Sequence, residues 1–145
     1  IENSVAIKIN DIILHNPSAK ILLSGMAFKG IPQTNDLRGS SSLKILDKLT
    51  NSKDQITIHD FMNEQHELEK VTSFSAINSN DFSLESGLEF DYIFILNNHP
   101  GYKNISSQSF VKNLISSGSC IVDTWNVMQL DNQFTISNLF INNGK

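Results

Sequence analysis

What the chain is short of narrows its function first. One cysteine in 145 residues rules out an internal disulfide and fits a reducing compartment, the cytoplasm. No apolar run nears the ~20 residues of a membrane-spanning helix, and no secretory leader is visible. Cations are outnumbered, 11 Lys and Arg against 15 Asp and Glu, and the net charge is −4. That balance argues against nucleic acid or a membrane surface as a partner, and any anionic ligand must be met by local cations. The four histidines lack metal-ligand spacing, so no metal site is expected. Of the three prolines, one stops a helix at Asn16-Pro17 and another breaks the chain at Pro100-Gly101.

What remains is a chain ordinary enough in its apolar and charged content to fold as one domain with a real core. It is organised around Lys20–Leu49. Ile21-Leu22-Leu23 has the bulk of a buried parallel strand, and Gly25 ends it. A polar loop with Lys29, Asp36 and Arg38 follows. Ser40 is placed to cap a helix over about 41–50, whose Leu43, Leu46 and Leu49 share one face. A strand, a glycine turn, two cations and a helix N-terminus together suit an anion such as phosphate.

The flanking sequence repeats the strand–helix alternation. Val5, Ala6, Ile9, Ile12 and Ile13 predict an amphipathic helix near 1–15. Gln55–Asp60 alternates as a second strand. Asn63–Lys70 reads as a short charged helix or loop, Val71–Phe74 as an edge strand, and Asp81–Ser86 as a helical turn. Asp91–Leu96 is a central strand, Phe110, Val111, Leu114 and Ile115 form a helix face closed by Gly118, and Ser119–Asp123 is a fifth strand. Phe134–Ile136 and Leu139–Ile141 predict a last strand or pair. The pattern is that of a doubly wound, mostly parallel sheet, a Rossmann-like three-layer α/β/α fold with strand order 3-2-1-4-5-6. Ligands of such sheets sit beyond the strands' carboxyl ends, where the order reverses between the first and fourth strands. The segments there are Phe28–Arg38 and Asn97–Tyr102. Asp60, after the second strand, invites a dinucleotide reading, but Gly25–Gly30 is not the Gly-x-Gly-x-x-Gly turn that reading needs.

Gly25-Met26-Ala27-Phe28-Lys29, then Asn35-Asp36-Leu37-Arg38-Gly39-Ser40, resembles a known signature. It is the Gly-Leu-Ala-Phe-Lys … Asp-Asp-x-Arg-x-Ser-Pro of the UDP-glucose/GDP-mannose dehydrogenase family, which opens that family's C-terminal domain. The likeness continues through Asn97-Asn98-His99-Pro100 and Ile121-Val122-Asp123-Thr124-x-Asn126. Three features depart from it. The Gly30–Thr34 loop is longer than the usual Pro-Asn-Thr, Ser41 stands where proline is typical, and Trp125 stands where many members have arginine.

The resemblance implies the nucleotide-sugar-binding domain of an NAD-dependent nucleotide-sugar 6-dehydrogenase. Such an enzyme oxidises the sugar C6 hydroxyl to a carboxylate, for polysaccharide biosynthesis, through a thiohemiacetal on cysteine. Residues 1–18 would be the end of an interdomain linker helix and 19–145 the C-terminal domain of a longer enzyme. Implied partners are a UDP- or GDP-sugar and further copies of the chain in a homodimer or larger homo-oligomer. NAD would be bound mainly by a missing N-terminal domain. No catalytic residue is expected here, because the family's Gly-Gly-x-Cys segment has no counterpart and Cys120 sits in a buried strand. Phe28, Lys29, Asp36 and Arg38 become substrate-binding candidates, with Asn98, His99 and Trp125 as further possibilities. Each also has a structural reading: a solvated lysine, a loop ion pair, a capping histidine, a tryptophan packed on another domain. The competing function is a stand-alone α/β nucleotide-binding or regulatory module without dehydrogenase activity.

Overall fold

The computed structural model describes residues 2–80, 89–105 and 118–128. Helix α1 (Glu2–His15) leads into strand β1 (Ile21–Ser24), helix α2 (Ser41–Asp47) and a 3-10 turn at Thr50–Gln55. Strand β2 (Ile56–His59), helix α3 (Gln65–Thr72) and the two-residue strand β3 (Ser75–Ala76) follow, then β4 (Tyr92–Ile95), α4 (Gly101–Ile105) and β5 (Cys120–Asp123). The strands form one five-stranded sheet, all parallel, in the order β3-β2-β1-β4-β5. This is a doubly wound, Rossmann-like sheet. The predicted sixth strand, the Asp81–Ser86 turn and the Phe110–Ile115 helix lie outside the described residues.

Parallel registry sorts the apolar side chains. Leu23 aligns with Ile58 on one side and Phe94 on the other, and Phe94 aligns with Val122. That row packs with Val5, Ala6 and Ile9 of α1, Ile45 and Leu46 of α2, and Leu68 of α3. One residue earlier, Leu22, Ile93 and Ile121 turn to the opposite face and pack with Tyr102 of α4 and Met128. Both faces are therefore covered, which is why β1 and β4 read as unbroken apolar runs. Each fully buried aliphatic side chain contributes about 1.5–3 kcal/mol of transfer free energy.

Three elements differ from the sequence reading. The helix after Ser40 ends at Asp47, and Thr50–Gln55 winds as a 3-10 turn. Thr50, Asn51 and Ser52 are weak helix formers, and the tightened turn keeps Leu49 in the core at 1 % exposure. The predicted edge strand at Val71–Phe74 is wrong. Val71 and Thr72 end α3, the Thr72 hydroxyl donates to the Leu68 carbonyl, and Ser73 closes the helix at φ 64°. The edge strand starts later, at Ser75, with Phe74 buried before it. Finally, Pro100-Gly101 starts a helix rather than only breaking the chain, proline being tolerated at a helix entrance.

Candidate functional site

The carboxyl ends of β1, β2, β4 and β5 carry the candidate residues, and the loops between them are built by buried polar groups. Asp60, 2 % exposed, is the first. Its Oδ1 accepts the N–H groups of Met26 (2.8 Å) and Ala27 (2.9 Å), and its Oδ2 accepts Met62 N–H and Asn63 Nδ2, both at 2.9 Å. Four donors thus converge on one carboxylate and fix the exit from β1. No acceptor capacity is left facing a ribose. Together with the absent glycine turn, this means that the residues present do not fit NAD.

The β1 and β4 loops meet without clearance. Gly30 N–H donates to Asn98 Oδ1 at 3.0 Å, and a Cβ on Gly30 would stand 2.0 Å from His99 N. Gly25, at φ +104°, is pressed equally against Asn97, whose backbone N would lie 2.7 Å from such a Cβ. The two segments placed at the switch point are therefore in direct contact. Asn98 acts there by holding the backbone of the residue after Lys29.

Lys29 is exposed, its Nζ 5.9 Å from the centre of the Phe28 ring. The loop closes behind it through Phe28 N–H to the Asp36 carbonyl, 2.6 Å. Asp36 binds Arg38 bidentately, Nε to Oδ1 and Nη2 to Oδ2 at 3.0 Å each, and also accepts Arg38 N–H at 2.9 Å. These bonds to Arg38 lower the Asp36 pKa from 3.8 to about 2. Arg38 spends one edge on this pair, and its side chain is 92 % exposed.

The start of α2 carries the Ser40 cap that the sequence predicts, and that cap bears on the anion reading. Ser40 Oγ accepts the N–H groups of Ser42 (3.1 Å) and Leu43 (3.4 Å) and donates to the Met26 carbonyl at 2.7 Å. The cap and an anion compete for these two N–H groups, so fewer are left for a phosphate and side-chain cations become the more important partners.

His99 stacks on Phe61, ring centres 4.6 Å apart, and its Nδ1 accepts Gly101 N–H at 2.9 Å. That bond is the capping role the sequence allowed. Burial pulls the His99 pKa below its ordinary value, opposed by the charge of Asp60. In the neutral ring Nε2 then carries the proton, and this buried atom has no hydrogen-bond partner among the described residues.

Sequence reasoning missed a buried polar chain beneath these loops. Ser24 Oγ lies 2.7 Å from His59 Nδ1 and 2.7 Å from Tyr102 OH, and His59 Nε2 lies 3.0 Å from the Ser79 carbonyl. A carbonyl only accepts, so Nε2 holds the proton. In the neutral ring Ser24 then donates to Nδ1, and Tyr102 donates to Ser24. Burial raises the Tyr102 pKa, consistent with a donor that keeps its proton. The available signal was Ser24 and His59, polar residues ending two otherwise apolar or alternating strands.

At the far end, Asp123 accepts Trp125 N–H, Val127 N–H and Met128 N–H, at 3.3, 3.2 and 2.8 Å. Trp125 is 56 % exposed, and its indole N–H donates to the Leu96 carbonyl at 3.0 Å. It shares with Phe28 the wall of a cavity of about 90 Å³. Among the described residues no group of His, Cys, Asp and Glu is arranged to hold a metal, and no helix is long and apolar enough to cross a membrane.

A family model described as the UDP-glucose/GDP-mannose dehydrogenase family, UDP binding domain, matches residues 22–130. The chain belongs to this family. The matched region runs from β1 past the turn after β5, so every loop described above belongs to the family's UDP binding domain. No curated protein matches the chain. Among solved structures, it is similar to the UDP-D-ManNAc dehydrogenase from Pyrococcus horikoshii, with 24% identity over 89% of this chain and a TM-score of 0.58. It is also similar to the UDP-N-acetyl-mannosamine dehydrogenase Cap5O from S. aureus, with 20% identity over 90% of this chain and a TM-score of 0.61. At these identities the likeness shows the fold. The chain spans 28% of the length of each.

Proposed function

We propose that this domain binds the nucleotide and phosphates of a UDP-sugar for an NAD-dependent nucleotide-sugar 6-dehydrogenase. Such an enzyme converts a sugar C6 hydroxyl to a uronate carboxylate, and C6 must be held still through two oxidations. Residues 1–18 act as the end of the linker helix and 19–145 as the substrate domain. The remainder of the enzyme supplies NAD and the nucleophilic cysteine. Cys120 does not serve, since it lies within β5, packs against the core, and burial raises its pKa.

The observation that carries this reading is the placement of Lys29. It is an exposed cation on the β1 loop, at the point where strand order reverses, and the loop around it is held at Ala27 by Asp60 and at Gly30 by Asn98. A fixed backbone removes the loop-ordering part of the cost of meeting a phosphate, leaving the rotamer entropy of the lysine side chain itself. Arg38, oriented by Asp36, offers its remaining donors to the same loop's ligand. Binding energy collected at the nucleotide then orients the distant reacting carbon.

Calorimetry with a panel of UDP- and GDP-sugars tests this. UDP-sugars should bind saturably, and Lys29→Ala should weaken them about tenfold to a hundredfold, the worth of one charge-assisted hydrogen bond of about 1.5–3 kcal/mol. Binding unchanged by Lys29→Ala would return that residue to the solvated surface. Failure of every nucleotide-sugar to bind would favour the stand-alone module.

A further inference from the structure

We infer that the β3 edge of the sheet is a latent strand-pairing surface, closed by side chains of α3 against a second copy of this chain. Among the described residues β3 is one end of the sheet, with β2 as its neighbour. Ile77 N–H donates to the Ile58 carbonyl at 3.0 Å, so Ile77 faces β2. Backbone groups alternate sides along a strand, and Ala76 therefore turns its N–H and C=O away from β2. Outward groups of this kind are a template on which another strand can add.

In this chain α3 meets them with side chains. Gln65 Nε2 donates to the Ala76 carbonyl at 2.7 Å, and Glu69 Oε2 accepts Ala76 N–H at 2.9 Å. Just before the strand, Thr72 Oγ1 accepts Phe74 N–H at 3.1 Å and donates its own proton to the Leu68 carbonyl. Gln65, Glu69 and Thr72 stand at i, i+4 and i+7, which places them in one stripe of the helix. Leu68, fully buried, anchors the helix beside that stripe. Both outward groups of Ala76 are thus taken as a neighbouring strand would take them.

The sequence at this edge says what the stripe excludes. Val71-Thr72-Ser73-Phe74-Ser75-Ala76-Ile77 contains no charge, no proline and no glycine, and it is rich in β-branched and apolar residues. A run of that composition pairs readily with copies of itself, so the occupant of an opened edge is the same segment of a second chain. The fold restrains the run twice. Val71 and Thr72 are wound into the last turn of α3, and the outward groups of Ala76 are covered by the same helix. The cover consists of side chains alone, so it can be removed while Leu68 still holds α3 on the sheet.

The test opens the stripe and looks for self-association. In the full chain, Gln65→Ala combined with Glu69→Ala should speed amide exchange at Ala76 about tenfold in dilute solution, the scale of one lost hydrogen bond. As concentration rises, the double variant should sediment as larger species than the parent at equal concentration, and exchange at Ala76 should slow again. Glu67→Ala removes a charge from another, exposed face of α3 and should behave as the parent. Adding Ser75→Lys, a charge at an exposed position of the edge, should return the double variant to the parent's sedimentation. Circular dichroism checks the fold, and if the double variant does not fold, Glu69→Ala alone is read in the same way. Unchanged exchange at Ala76, or unchanged association, overturns the inference. Association that survives Ser75→Lys, or that Glu67→Ala produces equally, arises at another surface and overturns it as well.

Discussion

Asp60→Asn is the substitution that best separates loop construction from ligand binding. The side chain keeps its shape, and one oxygen becomes an NH₂ group. Whichever oxygen is replaced, two donors then face a donor, either Met26 and Ala27 N–H or Met62 N–H and Asn63 Nδ2. A hydrogen bond to a charged group is worth about 1.5–3 kcal/mol, so losing two gives about 3–6 kcal/mol. The pair shares one side chain and is not additive, so the lower half of that range is expected. Against a total stability of about 5–15 kcal/mol this is a large fraction. Urea unfolding followed by circular dichroism should show the midpoint falling with little change in slope. Amide exchange at Met26 and Ala27 should accelerate more than exchange in β4. A dinucleotide-binding Asp60 predicts the opposite, with unaltered stability and a loss only in cofactor affinity. An unfolding free energy within about 1 kcal/mol of the parent would refute the clamp, since even one such bond exceeds that.

Further outcomes follow from the same geometry. Gly30→Ala puts a methyl 2.0 Å from His99 N, a backbone atom that cannot swing away. It should cost about 1–3 kcal/mol in thermal or urea unfolding and weaken UDP-sugar binding by displacing Lys29, whereas unchanged stability would mean the loops are not in contact. The Asp36–Arg38 pair should be fully formed above the ordinary carboxylate pKa of 3.8 and lost as pH falls through about 2, because the folded pKa is the lower one. An NMR titration of the Asp36 carboxyl should give that low midpoint, and Arg38→Ala should return it towards 3.8. Cys120 should resist alkylation in the native chain at pH 8 and react on unfolding, its thiol pKa being raised by burial. Reaction at the same rate in both states would show that β5 does not shield it.

The sheet was legible because parallel strands buried on both faces leave an unmistakable mark. Leu22 and Leu23 serve opposite cores, so Ile21-Leu22-Leu23 has no polar alternate, and the same holds for Ile93-Phe94-Ile95. Strand order followed from the β–α alternation. The edge was less legible because β3 is two residues long, and β-branched Val71 and Thr72 carry strand propensity that α3 overrides. Of the site, the loop segments and the Asp36–Arg38 pair were readable as types at a spacing. The Ser24–His59–Tyr102 chain was not, because it joins residues 35 and 78 positions apart that meet only after the sheet forms. The Ser40 cap was legible as a serine before a helical pattern, and its hydroxyl accepts Ser42 and Leu43 N–H, leaving fewer such groups for a phosphate.

Two carboxylates at strand ends, Asp60 after β2 and Asp123 closing β5, illustrate how such a site is divided between scaffold and chemistry. By residue type either could bind a ribose or a cation. Both are nearly buried, at 2 % and 3 % exposure, and both are filled by backbone N–H groups of the turns that follow or neighbour them. Their charge is spent holding loops, and Phe28, Lys29, Arg38 and Trp125 are exposed at the same edge, where the partly exposed Asp36 is paired with Arg38. In a chain of net charge −4, that segregation lets an anionic ligand approach the carboxyl edge of the sheet. It also couples the two roles. Asp60 fixes the backbone immediately before Phe28, and Asp123 accepts Trp125 N–H, so the two walls of the cavity are positioned from different strands of the sheet by buried carboxylates. A change at either carboxylate should therefore alter binding through the spacing of those walls, even where the contacting side chains are intact.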